Sequence, residues 1–253
     1  MAEPGKITDV GSLEKAVLVA VSKFGEESDI WWRGHSVAEW DLVPKVYRLG
    51  RENDEHNFAL TFLHSARSRY IRCPDSDDWS SWLFLMQHYG LPTRLLDWSK
   101  SALVGLYFSV CEPQFDDESG AVWALRPARL NKQQFGSESL VSPQSEFVKG
   151  LCNEAFISPQ FKKAKVTVGV PTDQFDVRHL VQESTFTIHA TNTPINNLAG
   201  CNEYLLRFEV PSAAKKSLRF ILNRLGINSA YLFPDLDNLA RHVSSMTFLK
   251  ADT

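Results

Sequence analysis

The sequence is short of several features that would place it quickly. Its four cysteines, Cys73, Cys111, Cys152 and Cys201, lie far apart, with no Cys-x-x-Cys pair and no histidine cluster beside them. That spacing suggests neither a zinc site nor a compact disulfide framework, and buried reduced thiols are the plainer reading. No apolar run approaches the ~20 residues that span a bilayer, and Met1 to Val10 holds no hydrophobic signal core. The expected setting is a reducing cytoplasm, away from membranes. An excess of one charge is also lacking. The formal net charge of -3 attracts neither nucleic acid nor anionic lipid, so a polyanion partner would need a local basic patch. No P-loop, Gly-x-Ser-x-Gly, His-Glu-x-x-His or Gly-x-Gly-x-x-Gly occurs, which removes the familiar nucleotidase, hydrolase, zinc-protease and dinucleotide-fold readings. No repeat or low-complexity linker divides the chain.

What is present is ample core material: 43% of the 253 residues are apolar and 11% aromatic. Leu13, Ala16, Val17, Val19 or Ala20, and Phe24 recur at helical spacing, predicting a helix over 12–24. Ser28 to Gly34 then turns aromatic and strand-favouring, which predicts a short strand delivering Arg33 to its end. Phe58, Phe62, Ala66 and Tyr70 mark a long helix within 52–70, with Arg67, Arg69 and Arg72 on or beside its exposed side. A second helix is expected over 79–88, stopped by Gly90 and Pro92. A very short strand at Leu95-Leu96 follows, then a buried helix over 102–110 capped by Ser99. Strands are expected at 121–125, 165–170, 180–189 and 204–210, and helices at 213–225 and 237–243, while 131–144 reads as irregular. The pattern is that of one mixed α+β domain with flanking helices, residues 1–30 supplying an N-terminal helix that packs on it.

Three stretches could carry chemistry. Arg33-Gly34 at a strand end offers a planar fork suited to phosphate and a glycine that admits a ligand or a backbone, although an arginine paired to a structural carboxylate would look the same. Gln87 to Ser99 crowds Gln87, His88, Thr93, Arg94, Asp97 and Ser99 among Tyr89, Trp98 and leucines, either as a hydrogen-bond network or as a site. Gln182 to His189 sets Gln182, Ser184 and Phe186 on one strand face and Glu183, Thr185 and Thr187 on the other, so only one set can face a site. The basic runs Lys162-Lys163-Ala164-Lys165 and Lys215-Lys216 read as solvated surface.

These residues resemble a known family. Trp32-Arg33-Gly34-His35 is similar to the aromatic-Arg-Gly signature that names the FRG domain, with Trp40, Leu42, Pro44 and Arg48 after it. Gln87-His88-Tyr89-Gly90-Leu91-Pro92-Thr93-Arg94-Leu95-Leu96-Asp97-Trp98-Ser99 looks like its longest motif. Arg178 to Gln182 with Phe186 and His189, and Leu232 to Asp237, look like its later segments, so the signature region runs from 31 to 242 of a domain taken as 1–253.

A weaker resemblance is to ADP-ribosyltransferases of the Arg-Ser-Glu kind, whose three motifs would fall at Trp32-Arg33-Gly34, Asp97-Trp98-Ser99 and Gln182-Glu183. It implies largely antiparallel central sheets of ADP-ribosyltransferase-like fold and NAD as substrate, with no metal. Catalytic roles would fall to Arg33, His88, Asp97, Gln182 and Glu183. NAD-binding roles would fall to Arg33, Gly34, His35, Arg94, Trp98, Ser99, Tyr107 and Phe186. Either His35 or His88 would serve as general base. The implied activity is modification of a macromolecule, RNA or DNA ahead of protein, by a toxin or antiviral effector with a neutralising antitoxin protein. The alternatives are a noncatalytic nucleic-acid or phosphate-ligand binding module and a metal-independent nuclease.

Overall fold

The computed structural model describes residues 5–162, 164–172 and 177–245. Its frame is a six-stranded, wholly antiparallel sheet in the order β4-β5-β2-β1-β3-β6. The strands are β1 (Trp31–His35), β2 (Leu95–Ser99), β3 (Gly120–Leu125), β4 (Thr167–Val170), β5 (Ser184–His189) and β6 (Leu205–Val210). The helices among the described residues are α1 (Val10–Phe24), α2 (Lys45–Arg48), α3 (Glu55–Ala66), α4 (Trp79–His88), α5 (Ala102–Val110) and α6 (Pro127–Phe135). They continue with α7 (Glu146–Asn153), α8 (Val177–Val181), α9 (Ser212–Arg224), α10 (Ser229–Leu232) and α11 (Leu236–Ser245). None is long and apolar enough to cross a membrane.

The sheet is two three-stranded halves joined at one point. β1 pairs with β3 from Trp31 to His35, and β2 pairs with β5 from Leu95 to Ser99. Between β1 and β2 the register holds only Trp32 opposite Ser99. Each half has its own core on the face that carries Trp32 and Leu95. Leu13, Ala16 and Phe24 of α1 pack with Leu106 of α5, Leu218 of α9 and Phe208 over β1, β3 and β6. Leu63 of α3, Trp82 and Phe84 of α4 and Leu151 of α7 cover β2, β4 and β5. The opposite face buries Trp31, Trp98 and Trp123 under Leu42, Leu130, Ile195 and Tyr204.

Several departures from the sequence reading have local causes. α5 is capped by Ser101, whose Oγ accepts the Val104 N–H, while Ser99 lies within β2, which runs three residues past the expected Leu95-Leu96. The stretch expected to be irregular includes the end of α6. Asn131 of that helix clamps β4 by donating Nδ2 to the Gly169 carbonyl at 2.9 Å and accepting the Gly169 N–H at 2.7 Å. The strand expected from Leu180 starts at Ser184, because α8 occupies 177–181.

Two contacts hold α5 and β2 in place. Gly34 has no side chain because α5 lies directly on it: a Cβ there would sit 2.0 Å from the Gly105 carbonyl and 2.4 Å from the Ser109 nitrogen. Arg94, just before β2, is 1% exposed and pairs with Glu55 at 2.7 Å and Glu154 at 3.4 Å, tying α3, β2 and the end of α7 together. Burial works against its charge, yet Glu55 more than offsets this and holds the guanidinium above its ordinary range. Gly34→Ala should therefore cost at least the ~1–3 kcal/mol of an overpacked core, and Arg94→Ala about 3–5 kcal/mol by leaving the buried Glu55 with Lys162 alone, 3.0 Å away, as its ion-pair partner. Urea unfolding midpoints measure both, and a wild-type midpoint for either variant would contradict the packing described.

Candidate functional site

A cleft of about 780 Å³ opens where β1 and β2 part. That volume lies within the ~300–1,000 Å³ typical of small-ligand sites. Its walls are the end of β1, Asp97 to Ser99 of β2, one side of α5, and the segment holding Arg178, Gln182 and Ser184.

Arg33 forms the floor. Its Nη1 donates to the Asp97 carbonyl at 2.6 Å, satisfying a group that the interrupted strand pairing leaves open. Its Nε donates to His35 Nε2 at 3.0 Å. His35 can accept there only with Nε2 unprotonated, so the ring proton sits on Nδ1 and is donated to the Trp40 carbonyl 3.1 Å away. Burial, with the nearby positive charge of Arg33 and Arg48, holds His35 well below its usual pKa. Burial also pushes the Arg33 pKa down to about 10, with Asp97 opposing and Arg48 reinforcing the shift, so the guanidinium stays charged at neutral pH. Among the described residues no carboxylate pairs with Arg33 within 4.0 Å. Its remaining N–H groups are left to the cleft.

Asp97 stands beside it. One carboxylate oxygen accepts Gln87 Nε2 at 2.7 Å, and Gln87 Oε1 accepts the Thr93 hydroxyl at 2.6 Å, so the acid is held from behind. Ser99 donates its hydroxyl to the Gln182 carbonyl at 2.7 Å and accepts the Ser101 N–H at 3.0 Å, which fastens the third wall to β2. Gln182 is buried and donates Nε2 to the Leu232 carbonyl at 2.8 Å.

Of the residues singled out in the sequence, Arg33, Gly34, His35, Asp97, Trp98, Ser99 and Gln182 line this one cleft. Five others do not. Glu183 is exposed and does not line the cleft, its backbone at φ 46 where α8 gives way to β5. Arg94 is consumed by Glu55. Phe186 shares the sheet face of its cross-strand partner Asp97 but is 1% exposed, covered by Phe84 of α4 at 5.2 Å. Tyr107 faces a second cavity, and its helical neighbour Phe108 lines the cleft instead. His88 lies behind the wall, its ring against His179 at 5.6 Å and its carbonyl accepting from Arg178 at 3.2 Å. Conversely, Trp40, Arg48, Arg178 and Phe233 carried the family resemblance without an assigned role, and the fold brings all four to the cleft. Glu112, which accepts the Ser36 hydroxyl at 2.6 Å, had no signal in the sequence.

Residues 28–118 match the family model of the FRG domain. This stretch is an FRG domain. It supplies β1, β2 and α5, and with them Arg33, His35 and Asp97, whereas Arg178, Gln182 and Phe233 lie beyond the matched residues. No curated protein and no solved structure matches the chain.

Burial fixes the sign of one pH effect. His35 and His189 are neutral in the folded protein, His189 being pushed down to about 3 by burial and by Arg33 and Arg94. The unfolded chain takes up both protons near 6.5, so their contribution is full above that pH and is lost as pH falls through the window below it. Urea unfolding at about pH 7.5 and about pH 5 should show a smaller acid loss for His189→Leu than for wild type. Equal losses would contradict the neutral assignment.

Proposed function

We propose that the chain is an NAD-dependent ADP-ribosyltransferase acting on a macromolecule. The observation that carries this reading is Arg33: a guanidinium fixed by His35 and the Asp97 carbonyl, without a paired carboxylate among the described residues, facing a cleft it shares with Asp97 and Gln182. A fork held in this way suits a pyrophosphate, and Arg48 and Arg178 reach the same space. Trp32, Trp40, Phe108 and Phe233 offer ring faces to adenine or nicotinamide. An open antiparallel sheet parted between β1 and β2 is in keeping with the ADP-ribosyltransferase-like fold that the resemblance implied.

In this reading the nicotinamide leaves with the electrons of its glycosidic bond, and positive charge grows on the ribose carbon. The Asp97 carboxylate, held by Gln87, stabilises that charge. An acceptor nucleophile then bonds to the same carbon and gives up its proton. His35 cannot take it, because Nε2 accepts from Arg33 and Nδ1 donates to Trp40. Glu112 is the other carboxylate in the cleft and is the better base. A toxin or antiviral role, with a neutralising protein partner, goes with this activity.

One observation favours the noncatalytic reading instead. Gln182 is engaged by Leu232 and Glu183 does not line the cleft, so among the described residues the third wall brings no carboxylate. Release of labelled nicotinamide separates the two. We expect release by wild type and NAD binding roughly 10- to 100-fold weaker in Arg33→Ala, the scale of one or two charge-assisted hydrogen bonds. Asp97→Asn should lower kcat by about 10²–10³ with little change in KM. NAD binding without any release would leave a binding module, and no NAD binding would remove the proposal.

A further inference from the structure

A second cavity of about 420 Å³ lies between α5 and α9, and Cys111 borders both it and the cleft. The segment that walls it, Val210 to Pro234, contains Lys215, Lys216, Arg219 and Arg224 and no acidic residue, in a chain whose net charge is -3. Two of these cations are spent within the fold. Lys215 is buried, donating to the Ser36 carbonyl at 2.6 Å and the Phe115 carbonyl at 2.7 Å. Arg219 donates Nε to the Val110 carbonyl at 2.7 Å and pairs with Asp116, which makes it a rigid wall of the cavity. Lys216 and Arg224 are exposed, and among the described residues neither has a carboxylate within 4.0 Å.

Positions 216, 219, 220, 223 and 224 fall on one face of α9 by their helical spacing. That face thus presents Lys216, Arg219, Phe220, Asn223 and Arg224 together. Phe220 is 57% exposed, with the Arg224 guanidinium 5.2 Å from its ring centre. A ring standing in solvent beside exposed cations and an amide is the combination that holds single-stranded nucleic acid, through stacking and phosphate contacts. The same acid-free segment reaches the cleft, where Phe233 forms part of the wall and the Leu232 carbonyl holds Gln182.

We propose that this face of α9 and its cavity form the acceptor site, and that the acceptor is a single strand of nucleic acid passing from Lys216, Phe220 and Arg224 across Cys111 into the cleft. As an acceptor assignment the proposal rests on the transferase reading, but strand binding can be measured without it. The test is fluorescence anisotropy of end-labelled single-stranded RNA, single-stranded DNA and duplex at low salt, without NAD. Wild type should bind at least one single strand in preference to duplex, with affinity falling steeply as salt rises. Lys216→Glu with Arg224→Glu should weaken binding by tenfold or more, and Phe220→Ala by roughly 5- to 100-fold. All three positions are exposed, so folding should be retained, and circular dichroism checks this. Both variants should label the strand far less than wild type does. No binding by wild type, a preference for duplex, unaltered binding by the variants, or label found on protein alone would overturn the proposal. Strand binding that depends on α9 in a protein releasing no nicotinamide would retain the groove and remove the transferase reading.

Discussion

The rest of the structure depends on the break in the sheet between β1 and β2. The two strands pair at Trp32 and Ser99 and then part, and the Arg33 guanidinium takes over where the strand ladder stops by donating to the Asp97 carbonyl. An interrupted ladder leaves backbone groups that must find partners, and here a side chain supplies one. Because that side chain is also anchored to His35, and His35 to the Trp40 carbonyl, its position is fixed from two sides. The outcome is a charged fork at the floor of a cleft, oriented by neutral partners and so left with charge to offer.

The walls are stiff for separate reasons. On one side Gly34 and Gly105 let β1 and α5 meet backbone to backbone, so the cleft-facing side of α5 has little room to move. On the other, the buried Arg94 ties β2 to Glu55 and Glu154, while Gln87 and Thr93 steady Asp97. Each half of the sheet closes its own core on the face of Trp32 and Leu95, while the opposite face shares one core across β1, β2 and β3. Preorganisation of this kind lowers the entropy lost when a charged ligand is bound.

Much of this was legible in the sequence, where local rules decide. α4 ends at His88 as expected, because Gly90 adopts φ 79 and Pro92 follows. Arg33 and Asp97 both line the cleft, although Arg33 stands in the middle of β1 and not at its end as the aromatic run suggested. The failures come from information that is not local. Arg33 and Arg94 look alike along the chain, and only the fold shows that Glu55, 39 positions away, claims the second. Strand alternation puts Gln182 and Glu183 on opposite faces, but both follow directly on α8, and β5 begins after them. α6 carries little apolar signal in the sequence because its inward residues include Asn131, a polar side chain whose partner is the backbone of β4.

Equilibrium binding of a non-cleavable carbocyclic NAD analogue tests, without any turnover, our proposal that the parted strands bind NAD through Arg33. Calorimetric titration of wild type should give one site per chain, lost or greatly weakened in an Arg33→Met variant that unfolds at the wild-type midpoint. No heat of binding in wild type, or the same affinity in the variant, would contradict the account.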